Sequence, residues 1–411
     1  MRILVVSQYF WPENFRINDL VKELGKRGHQ VTVLTGVPNY PTGKVFSAYL
    51  ITPDNFTEYE GAKVVRVPMF LRGNGNFRLM LNYLSFVLSG CVWGMWCLRN
   101  IEVDVIFVFE PSPVTVGLPA VMLSKIKQAP VVFWALDLWP ETLAAVGAVK
   151  SILVLRLVGL LVSFIYNRCT LVLGQSRGFL ASISNYCSDK TKVRYFPSWA
   201  EEVFLNTKVM LAPEIPEVSN MFTIMFAGNI GEAQDMPAVL AAAESLKAYQ
   251  TIRWIILGDG RKSEWLKSEV IKRGLQDRVF MLGRFDLERM PSFYAHADAL
   301  LVSLKRNSLF NITIPGKLQS YLQFGTPVIG MLDGEGAAVI REAKVGLTCD
   351  AGDSVGLEKA VLALANMPLK KRKRLGVNGQ IYSEKEFGRT KLMGLLDELL
   401  SEAVKIHSQE N

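Results

Sequence analysis

Short runs of aliphatic residues recur along the chain, each followed by a polar loop and a stretch with apolar residues at helical spacing. In the first half the runs are ILVVS (3–7), VTVLT (31–35), 64–68, DVIFVF (104–109), PVVFWAL (130–136) and 170–174. A loop at 8–15 follows the first run, and a helix over 16–27 ends at Gly28. Strand and helix patterns in alternation predict a parallel sheet with right-handed crossovers. The second half repeats the plan with FTIMFA (222–227), WIILG (254–258), RVFML (278–282), ALLVS (299–303) and 326–330. Between the halves, 197–220 sets Pro213 and Pro216 among mixed polar residues, which marks a linker. A last segment, 391–405, has the pattern of an amphipathic helix. The expected architecture is α/β in two domains, 1–205 and 206–387, followed by a C-terminal helical segment, 388–411.

Residues 308–346 hold the densest signal for chemistry. Ile314-Pro315-Gly316 opens a helix over 317–324, since proline suits a first turn where its missing N–H would have had no partner. Gly325 stops that helix, 326–330 reads as a short buried strand, and the turn Asp333-Gly334-Glu335-Gly336 feeds a second helix over 337–344. Two helix N-termini and a glycine-rich loop then face one end of a sheet, where free N–H groups and helix dipoles favour an anion, above all phosphate. Taken alone, the stretch fits two ordinary strand–helix connections equally well. Two more strand ends carry glycine turns, Gly228-Asn229-Ile230-Gly231 and Gly258-Asp259-Gly260-Arg261-Lys262. Glycine lets a diphosphate approach the backbone, and lysine or arginine nearby neutralises it.

Composition narrows the partners. The chain has 411 residues, half of them hydrophobic and a fifth charged, with a net charge of +8. That length asks for two cores, and that charge suits nucleotides, phospholipid headgroups or polyprenyl diphosphates. The basic residues are dispersed, with no finger, recognition helix or aromatic ribonucleoprotein motif, so nucleic acid is not an expected partner. Five cysteines without a CxxC pair and three scattered histidines give no metal site and suggest reduced thiols in the cytoplasm. The first strand begins at the N-terminus with no signal peptide ahead of it. His29 and His296 read as structural.

Residues 79–98, LMLNYLSFVLSGCVWGMWCL, approach the length of a bilayer span between Arg78 and Arg99. Strands of one domain lie on both sides of it, and Asn82, Ser85 and Ser89 interrupt it. The expectation is a domain helix with one greasy face that dips into a membrane interface beside Arg72, Arg78 and Arg99. Residues 151–166 form a second such patch with Arg156 and Arg168. The alternative is a pair of buried helices.

The residues Thr313-Ile314-Pro315-Gly316-Lys317, Tyr321, Gly325, Pro327 and Asp333 to Ala337 resemble the donor-binding segment of the retaining family-four (group 1) glycosyltransferases. The nearest pattern is the subgroup similar to bacterial O-antigen and capsule N-acetyl-L-fucosaminyltransferases, and the resemblance extends over nearly the whole chain. It implies the GT-B architecture, two Rossmann-like domains facing across a cleft. The first domain would bind acceptor, with the C-terminal helix returning to pack on it, and the second would bind the nucleotide-sugar donor. By the same resemblance Gly228 and Asn229 meet the donor phosphates, Gly283, Arg284 and Phe285 border the nucleobase, and Lys305 and Lys317 supply cations. Gly258, Asp259, Pro315, Gly334 and Gly336 complete the donor loops. Glu335 either accepts from a donor sugar or only favours the start of its helix. Two positions depart from the wider family: Ile312 and Ser320 stand where many relatives have glutamates, so Ser320 would offer the ribose a neutral contact. The loop GNIGEAQD also has Asn229 and Gln234 where many relatives have an arginine and a lysine.

On the acceptor side the resemblance favours Asn14 and Arg16, in the loop and helix start after the first strand. The alternative is an ordinary loop with Arg16 in solvent. Asp137 closes an apolar strand, a usual place for a catalytic carboxylate, and Glu141 is four residues on. As a plain structural reading, Asp137 would cap the next helix. The resemblance implies front-face transfer with retention, charge stabilisation of the leaving diphosphate as the main contribution, and neither a divalent ion nor a cofactor. The expected activity moves an N-acetylated amino sugar, such as N-acetyl-L-fucosamine, from a UDP-sugar to a polyprenyl-diphosphate-linked glycan in O-antigen or capsule synthesis. Its place would be the cytoplasm, or the inner face of the cytoplasmic membrane as a peripheral protein. The rival readings are a UDP-sugar 2-epimerase, disfavoured by the scarcity of histidine, and a non-catalytic membrane scaffold.

Overall fold

A computed structural model describes residues 1–73, 75–205, 209–218 and 220–410. The chain divides into two units, Met1–Pro197 with Thr390–Asn411, and Ser198–Arg389. Each is built on its own largely parallel sheet.

In order, the first unit holds β1 (Arg2–Val6), α1 (Arg16–Lys26), β2 (Gln30–Gly36), α2 (Ser47–Ile51), β3 (Glu58–Tyr59), β4 (Ala62–Val67), α3 (Asn76–Leu98), β5 (Val105–Glu110) and α4 (Gly117–Lys127). It continues with β6 (Val131–Ala135), α5 (Glu141–Ala145), α6 (Ile152–Arg168), β7 (Leu171–Gly174), α7 (Arg177–Ser184) and β8 (Val193–Tyr195). The sheet runs β3-β4-β2-β1-β5-β6-β7-β8, and only the short β3 is antiparallel to its neighbour. The strand order reverses between β1 and β5, which are paired in parallel. In such sheets the crevice at the strands' carboxyl ends, where the order reverses, is the place for a ligand.

The second unit holds β9 (Phe222–Ala227), α8 (Met236–Ser245), β10 (Ile252–Leu257), α9 (Ser263–Lys272), β11 (Val279–Gly283), α10 (Met290–Tyr294), β12 (Ala299–Ser303) and α11 (Ser308–Asn311). After these come α12 (Gly316–Phe324), β13 (Val328–Met331), α13 (Gly334–Ala343), β14 (Gly346–Cys349), α14 (Ser354–Ala365) and α15 (Leu369–Phe387). The order is β11-β10-β9-β12-β13-β14, reversing between β9 and β12. All six residues of β9 and of β10 are buried, which is why both read as strands from composition alone.

Three boundaries differ from expectation. Residues 198–205 go with the second unit, because Phe204 stacks on Tyr294 (5.4 Å between centroids) and Glu201 accepts a hydrogen bond from Ser320. The turn expected at 333–336 is already helix: α13 starts at Gly334. There φ is +67°, and a Cβ would fall 1.9 Å from the Asn311 carbonyl oxygen, so only glycine fits. The third is the terminal helix, α16 (Arg389–Glu410), which is longer than 391–405 and belongs almost wholly to the first unit. Leu392, Met393, Leu396, Leu400 and Ala403 are buried, and Asp397 takes Arg27 and His29 at 3.0 Å each. Part-exposed ion pairs contribute less than about 1 kcal/mol, whereas each buried leucine is worth about 2 kcal/mol, so packing decides the docking.

The apolar helices lie side by side over one sheet. Gly90 of α3 faces Pro119 of α4, and Gly117 of α4 faces Ile165 of α6. Phe77–Leu98 is long and apolar enough to cross a membrane, yet it links β4 to β5 of one sheet. The alternative of two buried helices does not hold: Leu88 is 68 % exposed, Trp96 65 % and Leu160 68 %.

Candidate functional site

In the second unit, the loops after β9, β10, β11, β12 and β13 leave the same edge of the sheet, because these strands are parallel. At the reversal between β9 and β12, the backbone turns at Gly228 with φ +138°. A Cβ there would lie 2.7 Å from Lys317 Nζ, and one at Gly258 would lie 1.9 Å from the Gly228 carbonyl oxygen. These glycines therefore let two loop backbones and a lysine converge on one point.

Lys317, from the first turn of α12, carries its ammonium to 3.6 Å from the centre of the Phe226 ring. Its Nζ is buried and has no hydrogen-bond partner among the described residues. Burial pulls its pKa down to about 7. An unpartnered buried cation is costly unless something anionic joins it. Neither α12 nor α13 has a side-chain cap, so their first-turn N–H groups add donors at the same edge. Pro315 and Gly336 bring the two helix starts together: a Cβ at Gly336 would sit 3.1 Å from Pro315 Cδ. The Tyr321 hydroxyl accepts from the Ala227 amide at 3.0 Å and fixes α12 to the end of β9.

The other expected donor residues lie on these loops with varied commitments. Asn229 is exposed beside Gly228. Asp259 accepts from the Gly260 amide at 2.7 Å, and bonds from Ser263 and that amide hold its pKa below the usual carboxylate value. Lys305 donates to Glu232 at 2.9 Å, and Lys262 pairs with the same carboxylate at 2.5 Å, so Lys305 shares a counter-charge that sequence did not reveal. The Gly258 amide donates to the Gly283 carbonyl at 2.7 Å. Arg284 is exposed, and the Phe285 ring lies 4.4 Å from that of Phe293. The Ser320 hydroxyl donates to Glu201 at 2.9 Å, so its contact with a ribose would come with a carboxylate beside it. Glu335 is half-buried in the first turn of α13.

In the first unit the strand-end loops are tied together by Glu13. Its buried carboxylate accepts from the amides of Phe10 (3.1 Å), Asn39 (2.7 Å) and Tyr40 (2.7 Å). Asn14 is exposed on that loop, and Arg16 opens α1 half-buried. Asp137, just after β6, accepts from the Leu138 amide at 2.9 Å, from Trp139 Nε1 at 3.2 Å, and from the Thr142 hydroxyl. Burial raises its pKa against these donors. Its own amide donates to Glu110 Oε2 at 3.3 Å. Glu110 is wholly buried, and burial holds its carboxyl far above the usual range. Two carboxyls at one strand edge thus have different environments, Glu110 wholly buried and Asp137 surrounded by donors.

Glu141 does not share Asp137's partners. Its Oε1 accepts from the Ser182 hydroxyl at 2.9 Å and the Tyr186 hydroxyl at 3.3 Å, both on or just after α7. His29 bonds Asp397 and His296 bonds the Ala212 carbonyl, both structural. Among the described residues no group of three or more His, Cys, Asp and Glu side chains is arranged to hold a metal ion.

Two parallel Rossmann-like units in one chain, each with its loops gathered at a strand reversal, make the GT-B fold of glycosyltransferases. Solved structures agree. HepE of Anabaena, in complex with UDP-glucose, superposes with a TM-score of 0.70 at 14 % identity, covering 98 % of this chain and 100 % of that one. WaaG, a glycosyltransferase involved in lipopolysaccharide biosynthesis, gives 0.64 at 14 %, with 99 % of both chains covered. The family described as glycosyl transferases group 1 matches residues 206–381, and the glycosyl transferase 4-like domain matches 14–199. The two matches put a glycosyltransferase domain in each unit. A protein of Escherichia coli K12 named as a colanic acid biosynthesis glycosyl transferase, WcaI, is 26 % identical over 348 residues, 79 % of this chain and 82 % of its own.

Proposed function

We propose that this glycosyltransferase keeps the anomeric configuration of its donor and needs no divalent ion. It moves an N-acetylated amino sugar from UDP to a polyprenyl-diphosphate-linked glycan in the assembly of a bacterial surface polysaccharide. The observation that carries the reading is Lys317, whose buried ammonium has no hydrogen-bond partner among the described residues and lies beside Gly228 at the strand reversal of the second unit, the edge from which the uncapped helices α12 and α13 start. A diphosphate is the anion that matches that set of donors. The UDP-glucose held by HepE and the pathway named for WcaI support a UDP-sugar and a polysaccharide. The Thr313 to Lys317 and Asp333 to Ala337 segments support the amino sugar. Lys317 and the helix starts take the charge of the departing UDP, and Asp137 orients the acceptor hydroxyl and accepts its proton.

A panel of UDP-sugars, offered with and without a polyprenyl-diphosphate-linked sugar and with a chelator, tests this. Transfer should require the acceptor, survive chelation, prefer an N-acetylated amino sugar, and give a product whose anomeric configuration by NMR is that of the donor. UDP-N-acetylglucosamine alone should yield no epimer. A neutral hexose transferred with higher kcat/KM, or an inverted product, would overturn the corresponding part.

A lipid-linked acceptor gives the apolar helices of the first unit an occupant, and we infer that it is an anionic bilayer surface. Residues 61–101 contain no Asp or Glu but include Lys63, Arg66, Arg72, Arg78 and Arg99. Residues 142–188 likewise lack acids and include Lys150, Arg156, Arg168 and Arg177. Arg99 lies over the Trp96 ring at 4.2 Å and Arg168 over Phe164 at 3.6 Å, cations set beside aromatic rings as an interface favours. The protein should sediment with vesicles containing phosphatidylglycerol and not with phosphatidylcholine alone. Leu88→Glu with Trp96→Glu should weaken vesicle binding by about tenfold or more while UDP affinity stays the same. Absence of vesicle binding, with a dimer in light scattering that the same substitutions dissolve, would make this face a self-interface instead.

A further inference from the structure

We propose that Arg72 binds the diphosphate of the acceptor, within a cage of phenols at the strand edge of the first unit. The inference rests on the reading of the acceptor as a polyprenyl diphosphate. Arg72 follows β4, and its amide donates to Asn39 Oδ1 at 2.8 Å, in the loop that Glu13 holds. Its guanidinium donates to the Tyr9 hydroxyl at 2.9 Å and lies 5.2 Å from the centre of the Tyr40 ring. The Tyr83 phenol of α3 faces the same guanidinium.

Among the described residues no carboxylate pairs with Arg72. Arg2, Arg27 and Arg194 of the same unit all have one. Phenols orient a guanidinium without neutralising it, and a planar fork with donors to spare suits a phosphate. The surroundings select which phosphate. Phe70 and Leu71, just before Arg72, are 65 % and 43 % exposed and lead onto the apolar face of α3. An isoprenoid chain has a surface to follow on that side. On the other side the Tyr83 ring lies 6.3 Å from that of Trp139, whose Nε1 donates to both Ser112 Oγ (3.3 Å) and Asp137 Oδ2 (3.2 Å). One line of contacts therefore runs from the proposed diphosphate site to the proposed proton acceptor, in the order of an acceptor's own parts: lipid, diphosphate, sugar.

Calorimetry on the full chain with farnesyl diphosphate, farnesyl monophosphate and UDP as separate probes tests the site. Wild type should bind the diphosphate more tightly than the monophosphate. Arg72→Gln should weaken farnesyl diphosphate by about tenfold or more and leave UDP unchanged. Arg72→Lys, which keeps the charge and loses the fork, should fall between and serves if the glutamine variant does not fold. Farnesyl diphosphate affinity that neither variant changes would overturn this inference alone, as would an equal loss for UDP. If wild type binds UDP but no farnesyl diphosphate, the acceptor reading falls with it.

Discussion

Lys317→Met is expected to bind UDP about 30- to 150-fold more weakly, which corresponds to losing a charge-assisted contact worth about 2 to 3 kcal/mol. Methionine fills most of the same channel against Phe226, so the loss reports the ammonium and not a cavity. The same ammonium sets a pH signature. Free, it titrates near 7 because burial disfavours its charge; beside a diphosphate its pKa must rise. Between those two values UDP binding takes up a proton, so wild-type affinity should fall by about tenfold per pH unit above neutrality. UDP is fully ionised above about pH 7.5, so calorimetry from pH 7.5 to 9 isolates the lysine, and Lys317→Met should flatten the slope. Stability moves the other way. A lysine whose folded pKa lies below its unfolded value binds fewer protons folded, so its penalty is full below about pH 7 and fades as pH rises toward 10.5. The unliganded variant should therefore melt higher than wild type at pH 6, with the gap closing in alkali. Unchanged UDP affinity across that range would remove Lys317 from the donor site.

What could be read in the residues follows from how much each feature depends on neighbours in sequence. FTIMFA is a strand because all six side chains are buried, and burial writes itself as hydrophobicity. GLTC at Gly346–Cys349 and VRY at Val193–Tyr195 are only half-buried edge strands, and their mixed composition concealed them. The start of α13 was hidden for a different reason. Glycine argues against helix, and Gly334 is required by the backbone of Asn311 pressing on it, a contact absent from local pattern. The same division runs through the sites. Gly228, Pro315 and Lys317 stood out because glycine turns and helix starts are short-range signals. The pairing of Lys305 with Glu232, of Ser320 with Glu201 and of Glu141 with Ser182 joins side chains 41 to 119 residues apart. Glu13, one residue of the loop at 8–15, holds three amides of two loops. Arg72 showed in sequence only as a positive charge beside a greasy helix.

Asp137→Asn should lower kcat by about 10²- to 10⁴-fold, the usual contribution of a positioned base, while UDP affinity stays within about twofold, since the proposed donor loops belong to the other unit. The variant also has a structural cost that must be separated from chemistry. Leu138, Trp139 and Thr142 all donate to this carboxylate, and an amide can accept through one oxygen only, which leaves a donor facing an NH₂ group at about 1 to 3 kcal/mol. Thermal unfolding measures that part. Catalysis is distinguished by its pH profile. Burial raises the Asp137 pKa above the usual carboxylate value, so the acidic limb of kcat/KM, where protonation removes the base, should lie higher than for an exposed aspartate. Activity then increases as pH rises through that limb and is lost below it. Glu110 sharpens the contrast: full burial and the nearby Asp137 carboxylate both push its proton affinity up, whereas at Asp137 the donors from Leu138, Trp139 and Thr142 oppose the effect of burial. A variant that keeps full turnover would leave Asp137 the plain role of tying Leu138, Trp139 and Thr142 into the turn before α5, and one that loses UDP affinity in proportion to kcat would show that the damage had spread beyond its own strand edge.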